Sequence, residues 1–434
     1  MKPLKSLLSE AYSNYIMFSE GGAAGHMAHV WELDDVTFGE IKDIFEQLFS
    51  GELEVSEKTD GQNLTVTFKD GEIKAARNKA TLKEPMSIEQ VADKYSGEDR
   101  ATIKKAFVET MEDVESAVKS MSDKEIKQIF NDGQNFISLE VIFPPTKNVV
   151  DYGGRCLVQF HGLAKYDDNF NKIGEDKELA KKLYNILKSH DALNQKTFEI
   201  AGPAVLKIKN AKSAEKAKKE ILSDIDKLMD TAGANDNTTV EQFVAKYYGE
   251  KIKEAAENHS IELDSEALAA VVDRMNPFNS KPKLKKQELN KLLASKNADL
   301  NSQQTKSFFS DVEAALDDDV TSILLPLEAI IVKGGTMLIE NLSGFVSADK
   351  SASAKKLADE LDAALDELNK KSSNGEIADG KLHTMLKNLK KLDIFGKTPT
   401  GIEGIVFTWK GRLAKLTANF GAINQLLGLF KYDR

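Results

Sequence analysis

The stretch from Leu53 to Ala76 does most to constrain the fold. Leu64-Thr65-Val66-Thr67-Phe68 alternates at period two and runs into Lys69-Asp70-Gly71. An Asp-Gly pair between such runs predicts a β-hairpin, because both turn residues must adopt positive φ. Leu53-Glu54-Val55 leads into Ser56-Glu57-Lys58-Thr59-Asp60-Gly61-Gln62-Asn63, so Lys58 is expected where a strand ends. An amine held there attacks phosphorus once its surroundings lower its pKa, giving a lysyl phosphoramidate. The same string also suits an exposed lysine beside an ordinary turn.

Further pieces follow in one order: Ala75-Ala76-Arg77-Asn78-Lys79, the apolar strand Phe136-Ile137-Ser138-Leu139-Glu140-Val141-Ile142 with its single glutamate, and Leu157-Val158-Gln159-Phe160-His161-Gly162. Glu403-Gly404-Ile405-Val406-Phe407 and Leu413-Ala414-Lys415-Leu416 come near the far end. Taken together and in this order, they resemble motifs I, Ia, III, IIIa, IV and V of the covalent nucleotidyltransferases: ATP-dependent RNA and DNA ligases and mRNA capping enzymes. Asn63 is most similar to the RNA-ligase version of motif I, of phage type.

The resemblance implies ATP and Mg2+ as cofactors, with Mn2+ as an alternative. It makes Lys58 the nucleophile, and has Lys415 offset charge growing on the α-phosphate. Arg77 would bind phosphate or ribose, Glu140 the ribose hydroxyls or a metal-bound water, and Glu403 a metal or its water. Phe160 would stack on the base, while Glu57, Asp60, Gly61 and Asn63 line the nucleotide site. The chain departs from the pattern at Leu413, where motif V usually has a first lysine, and at Phe407-Thr408, where a lysine is frequent. Those departures bear on the later sealing steps more than on adenylation.

A chain of 434 residues suggests two or three domains. A net charge of −10 excludes a surface coated uniformly for polyanions. Positive potential would have to be local, at Lys281-Pro282-Lys283-Leu284-Lys285-Lys286 or among Lys397, Lys410, Arg412, Lys415, Lys431 and Arg434. The lysine run also suits a solvated face. The single cysteine, Cys156, cannot form an internal disulfide. MKPLKSLLSEAY lacks a signal-peptide core, and the apolar run Ile323 to Val332, broken by Pro326 and Glu328, is too short to span a bilayer. A cytoplasmic protein without membrane association is expected, in the host cytoplasm if the chain is phage-encoded. The loop from Gly21 to His29 lacks a P-loop ending, and His26 with His29 supplies too few ligands for zinc.

The expected fold class is α+β, an antiparallel-sheet nucleotidyltransferase core with a large, mostly α-helical insertion. Residues 1–174 form the first part of the core, 175–395 the insertion, and 396–434 the last part, with no OB-fold following. Helical spacing predicts Glu178–His190, Ala214–Ala232, Val240–His259, Glu266–Met275, Lys285–Ser295, Gln303–Leu316, Val320–Phe345 and Ser353–Lys371. The insertion is expected to be excisable, with the strands around Phe160 and Glu403 in one sheet system.

The expected function is an ATP-dependent polynucleotide ligase acting on RNA rather than DNA ends through lysyl-AMP on Lys58. The alternatives are a capping-type or protein-modifying nucleotidyltransferase, and a non-sealing nucleic-acid-binding protein on a ligase-like core. The insertion would recognise nucleic acid or a protein partner. The oligomeric state is not legible.

Overall fold

The computed structural model describes residues 28–76, 79–146, 150, 152–167, 172–204, 206–276, 284–296, 302–345, 350–373, 400–420 and 423. Arg77, His26, Lys281, Lys283, Lys397, Lys431 and Arg434 lie outside them. In chain order the elements begin with β1 (Ala28–His29), α1 (Phe38–Ser50), β2 (Val55–Lys58), β3 (Gln62–Lys69), β4 (Glu72–Ala76), α2 (Lys79–Lys83), α3 (Ile88–Lys94), α4 (Ala101–Lys119) and α5 (Asp123–Phe130). β5 (Asn135–Ile142), β6 (Leu157–Tyr166), β7 (Lys172–Asp176), α6 (Lys177–Ser189), β8 (Glu199–Ala201) and β9 (Lys207–Ile208) follow. The helical stretch holds α7 (Ala211–Ala232), α8 (Val240–Asn258), α9 (Ser265–Met275), α10 (Lys286–Lys296), α11 (Ser302–Asn341), β10 (Leu342–Ser343) and α12 (Lys350–Ser373). β11 (Gly404–Trp409) and β12 (Arg412–Thr417) complete it.

The fold is α+β with mainly antiparallel sheets. The larger sheet has six strands in the order β4-β3-β5-β6-β7, with β8 also beside β6. Its β3–β4 hairpin turns on Asp70 (φ 58°) and Gly71 (φ 83°), with Lys69 opposite Glu72, as the Asp-Gly pair requires. Val66, Ile137, Leu139, Val158 and Phe160 project from one face into a core with Phe107, Met111 and Val114 of α4 and Leu183 of α6. Asp113 of α4 accepts hydrogen bonds at 2.8 Å from the amides of Thr197 and Phe198, which ties the approach to β8 onto that helix.

The second sheet has four strands in the order β1-β12-β11-β2. Its β11–β12 hairpin turns on Lys410 (φ 47°) and Gly411 (φ 79°). The sequence places the strands around Phe160 and Glu403 in one sheet system; the structure divides them between two sheets, and β2 lies in the four-stranded one. Val55, Ser56, Glu57 and Lys58 pair with β11, and the chain crosses to the six-stranded sheet through Thr59-Asp60-Gly61.

Ile405, Phe407 and Leu416 are fully buried on the back of the four-stranded sheet, in one core with Phe45 of α1, Ile221 of α7, Val244 of α8, and Leu327 and Ile331 of α11. α1 starts on a capping box in which the Glu40 amide donates to Thr37 Oγ1 and the Thr37 amide donates to Glu40 Oε2. α11 approaches closely enough that a Cβ on Gly334 would lie 2.5 Å from the Phe45 ring, and one on Gly335 would lie 2.7 Å from the Thr417 carbonyl oxygen. The composition boundary at 174/175 is therefore not a boundary in packing, and the one at 395/396 lies outside the described residues. Of the helices in 211–341, α11 packs directly on β11 and β12, α7 and α8 pack on α11, and α9 and α10 follow, all within the core of the four-stranded sheet, whereas α6 belongs to the core of the six-stranded one. A smaller cluster joins Ile142, Tyr152 and Leu157 to Leu357 and Leu361 of α12 and to Phe420. Among the described residues, no helix is long and apolar enough to cross a membrane.

Candidate active site

The polar residues singled out in the sequence gather around the crossing from β2 to β3. Lys58 ends β2 and is only 8% exposed. Its Nζ donates to Glu403 Oε1 at 2.6 Å, across 345 residues of sequence. The pairing of β2 with β11 accounts for this contact: Lys58 lies opposite Gly404, so Glu403 enters beside the strand end. Gly404 tolerates no side chain, because a Cβ there would lie 2.6 Å from the Leu416 carbonyl oxygen. Lys415 lies opposite Val406, which lies opposite Ser56. Directly opposed residues share a face, so Lys415 and Lys58 are on the same side of the sheet, two strands apart. Lys415 is 6% exposed. Glu57, also buried, alternates to the other face.

Past the crossing, Gly61 sits against β5, where a Cβ would lie 2.8 Å from both Glu140 Cγ and the Val141 carbonyl oxygen. Asp60 is held by both its backbone and its side chain. Its amide donates to Tyr152 Oη at 2.7 Å, and its Oδ2 accepts from the Val150 amide at 2.8 Å. Burial, and then the neighbouring carboxylates of Glu57, Asp60 and Glu403, push the Tyr152 phenol well above its ordinary range and keep it neutral.

The six-stranded sheet contributes a row of polar side chains. Asn63 lies opposite Glu140, and Glu140 lies opposite Gln159, so all three share one face across β3, β5 and β6. His161 continues that face. Its Nε2 is 3.4 Å from Thr59 Oγ1 and 3.7 Å from Glu140 Oε2. A β-bulge helps to aim it: Leu139 pairs with Phe160 and Ile137 with Leu163, leaving His161 and Gly162 both opposite Ser138.

Phe160 corrects the sequence reading. It is 0% exposed and points into the core beneath α4, so it is not placed to stack on a base. Strand alternation gives the reason, since Phe160 shares parity with buried Val158 whereas Gln159 and His161 take the opposite face. Arg77 lies outside the described residues. Of the expected set, the structure brings Lys58, Asp60, Gly61, Asn63, Glu140 and Glu403 to the crossing, with Lys415 on the sheet face that carries Lys58. Thr59, Tyr152, Gln159 and His161 were not anticipated. Alternation along β6 carried the signal for Gln159 and His161, whereas no local pattern marks Tyr152.

Of the carboxylates at the crossing, Glu140 and Glu403 are the two that the resemblance offers as hard donors, while Asp60 Oδ2 accepts from the Val150 amide. Among the described residues, no group of three or more His, Cys, Asp or Glu side chains is assembled to hold an ion. Such a donor set suits a Mg2+ that takes most of its ligands from substrate phosphates and water. The basic side chains at 410 and 412 are committed elsewhere: Lys410 pairs with Glu40 and Arg412 lies 3.8 Å from Asp34. No family model, curated protein or solved structure matches the chain.

Proposed function

We propose that this chain is a covalent nucleotidyltransferase, an ATP-dependent ligase of polynucleotide ends with RNA the expected substrate. The observation that carries the reading is the contact of Lys58 with Glu403, two residues that the ordered motifs assign to one reaction and that meet at 2.6 Å with little exposure to water. In the first step Lys58 gives up a proton and attacks the α-phosphorus of ATP. A P–N bond forms, the bond to the bridging oxygen breaks, and pyrophosphate leaves. Glu403 is within reach to take that proton. Lys415 offsets the charge that grows on the phosphate oxygens. A Mg2+ held by Glu403 and Glu140 with water would neutralise the polyphosphate when bound. The AMP then passes to a 5′-phosphate, and a 3′-hydroxyl displaces it.

The test is incubation with α-labelled ATP and Mg2+, followed by denaturation and peptide mapping. Label on the peptide containing Lys58, lost in Lys58→Ala, supports the reading. Equal labelling of that variant rejects Lys58 as nucleophile. A second reading, a nucleotide-binding core that does not complete sealing, is favoured by Leu413 standing where motif V usually carries a lysine. It predicts adduct formation without joined ends.

A further inference from the structure

The row Asn63–Glu140–Gln159 holds two buried amide oxygens that have no hydrogen-bond partner among the described residues. Gln159 is 1% exposed. Its amide nitrogen donates to the carbonyl oxygens of Gly202 and Phe160, the latter at 3.1 Å. Two carbonyl partners fix the amide orientation, so Oε1 must face the other way. That oxygen is buried and finds no hydrogen-bond partner among the described residues. Asn63 repeats the arrangement: its nitrogen reaches toward Ser138 Oγ at 3.4 Å and the Leu139 carbonyl at 3.5 Å, and its Oδ1 is likewise buried and unmatched. Between them stands Glu140, whose carboxylate oxygens are acceptors when ionised.

Two orphaned amide oxygens flanking a carboxylate are costly in an apo protein, at about 1–3 kcal/mol for each buried unsatisfied group. They become favourable against a ligand that presents donors. A phosphate, which presents only acceptors, would be repelled from this face, so the row does not bind the polyphosphate. We infer that it reads hydrogen-bond donors on the nucleoside half of the nucleotide, either ribose hydroxyls or an exocyclic amine, and that Gln159 is a specificity-determining residue. This inference rests on the nucleotidyl-transfer reading and adds to it. It requires the phosphates to lie toward Lys58 and Lys415, and the nucleoside over β3, β5 and β6.

Equilibrium binding to the full chain tests this, using non-reacting monophosphates: AMP, 2′-deoxy-AMP, 3′-deoxy-AMP and purine riboside monophosphate, which lacks the amine. At least one deletion should weaken binding to the native chain about tenfold, the factor that corresponds to ~1.4 kcal/mol. The deoxy arms report a hydroxyl and the purine riboside arm an amine. In Gln159→Leu that penalty should vanish, because the acceptor that rewarded the donor is gone. Gln159→Met provides the same comparison should Gln159→Leu fail to fold. If all four ligands bind the native chain equally, or if the penalty persists in the folded variants, the inference is overturned while labelling of Lys58 by α-labelled ATP leaves the catalytic reading standing. Absence of both binding and labelling overturns the two together.

Discussion

Lys58 Nζ sits 2.6 Å from Glu403 Oε1, with the two side chains 8% and 17% exposed. Removing one partner of a pair this dry leaves a charge poorly solvated, which is worse than never having formed the pair. Glu403→Gln should therefore cost about 2 kcal/mol, discounted from the fully buried case for the exposure of the carboxylate, and should depress adduct formation. Chemical denaturation and the labelling rate measure the two effects. A variant with native stability and native labelling would show the contact to be incidental.

Lys58→Arg separates charge from chemistry. A guanidinium can hold Glu403 but does not lose its proton to become a nucleophile. The variant should fold and melt close to the native chain yet take up no label. Retained labelling would move the nucleophile elsewhere.

Gly61→Ala places a methyl group 2.8 Å from Glu140 Cγ and the Val141 carbonyl oxygen. Overpacking of this kind costs about 1–3 kcal/mol. Because relief requires β3 to draw away from β5 beside Glu140, nucleotide affinity should fall along with stability. Calorimetric binding alongside a denaturation curve reads both, and an Ala variant that matches the native chain in each would contradict the steric argument.

Tyr152→Phe leaves the Asp60 amide without its acceptor at a cost of about 1–3 kcal/mol. It also predicts a pH signature. The folded phenol is raised above its ordinary value of 10.0, chiefly by burial. The contribution of the neutral phenol is complete below that ordinary value and is lost as pH rises through it toward the folded value. The native chain should lose stability above about pH 10 more steeply than the Phe variant. Parallel slopes for the two in alkaline denaturation would refute this.

Replacing residues 178–394 with a short linker should yield insoluble protein. Ile405, Phe407 and Leu416 would lose the α11 and α7 side of their shared core and expose an apolar sheet face. Solubility and size-exclusion behaviour test it, and a soluble monomer would show that the sheet is closed by other means.

Much of the local structure was legible in the sequence. Val240–His259 is observed as Val240–Asn258, and the Asp70-Gly71 turn forms where its residues demand positive φ. The expected break between Gln303–Leu316 and Val320–Phe345 is absent, as one helix runs from Ser302 to Asn341 through Pro326. Less legible was the division into two sheets, because β2 selects β11 as its partner and nothing near Val55 or Lys58 encodes a strand so distant. Phe160 shows a different kind of miss: its aromatic character suggested a base, but its parity in β6 had already assigned it to the core.

The order of strands in the four-stranded sheet bears on biosynthesis. β2 is made early, but it has no strand to pair with until Glu403, 345 residues after Lys58, and β11 behind it have emerged from the ribosome. The six-stranded sheet can close much sooner, from residues 62 to 201. Long-range pairings of this sort form late, after the loop between them has been synthesised and ordered. Until then the amine of Lys58 stays on an unpaired edge, away from Glu403 and Lys415, and a nascent or prematurely terminated chain carries the lysine without the means to use it.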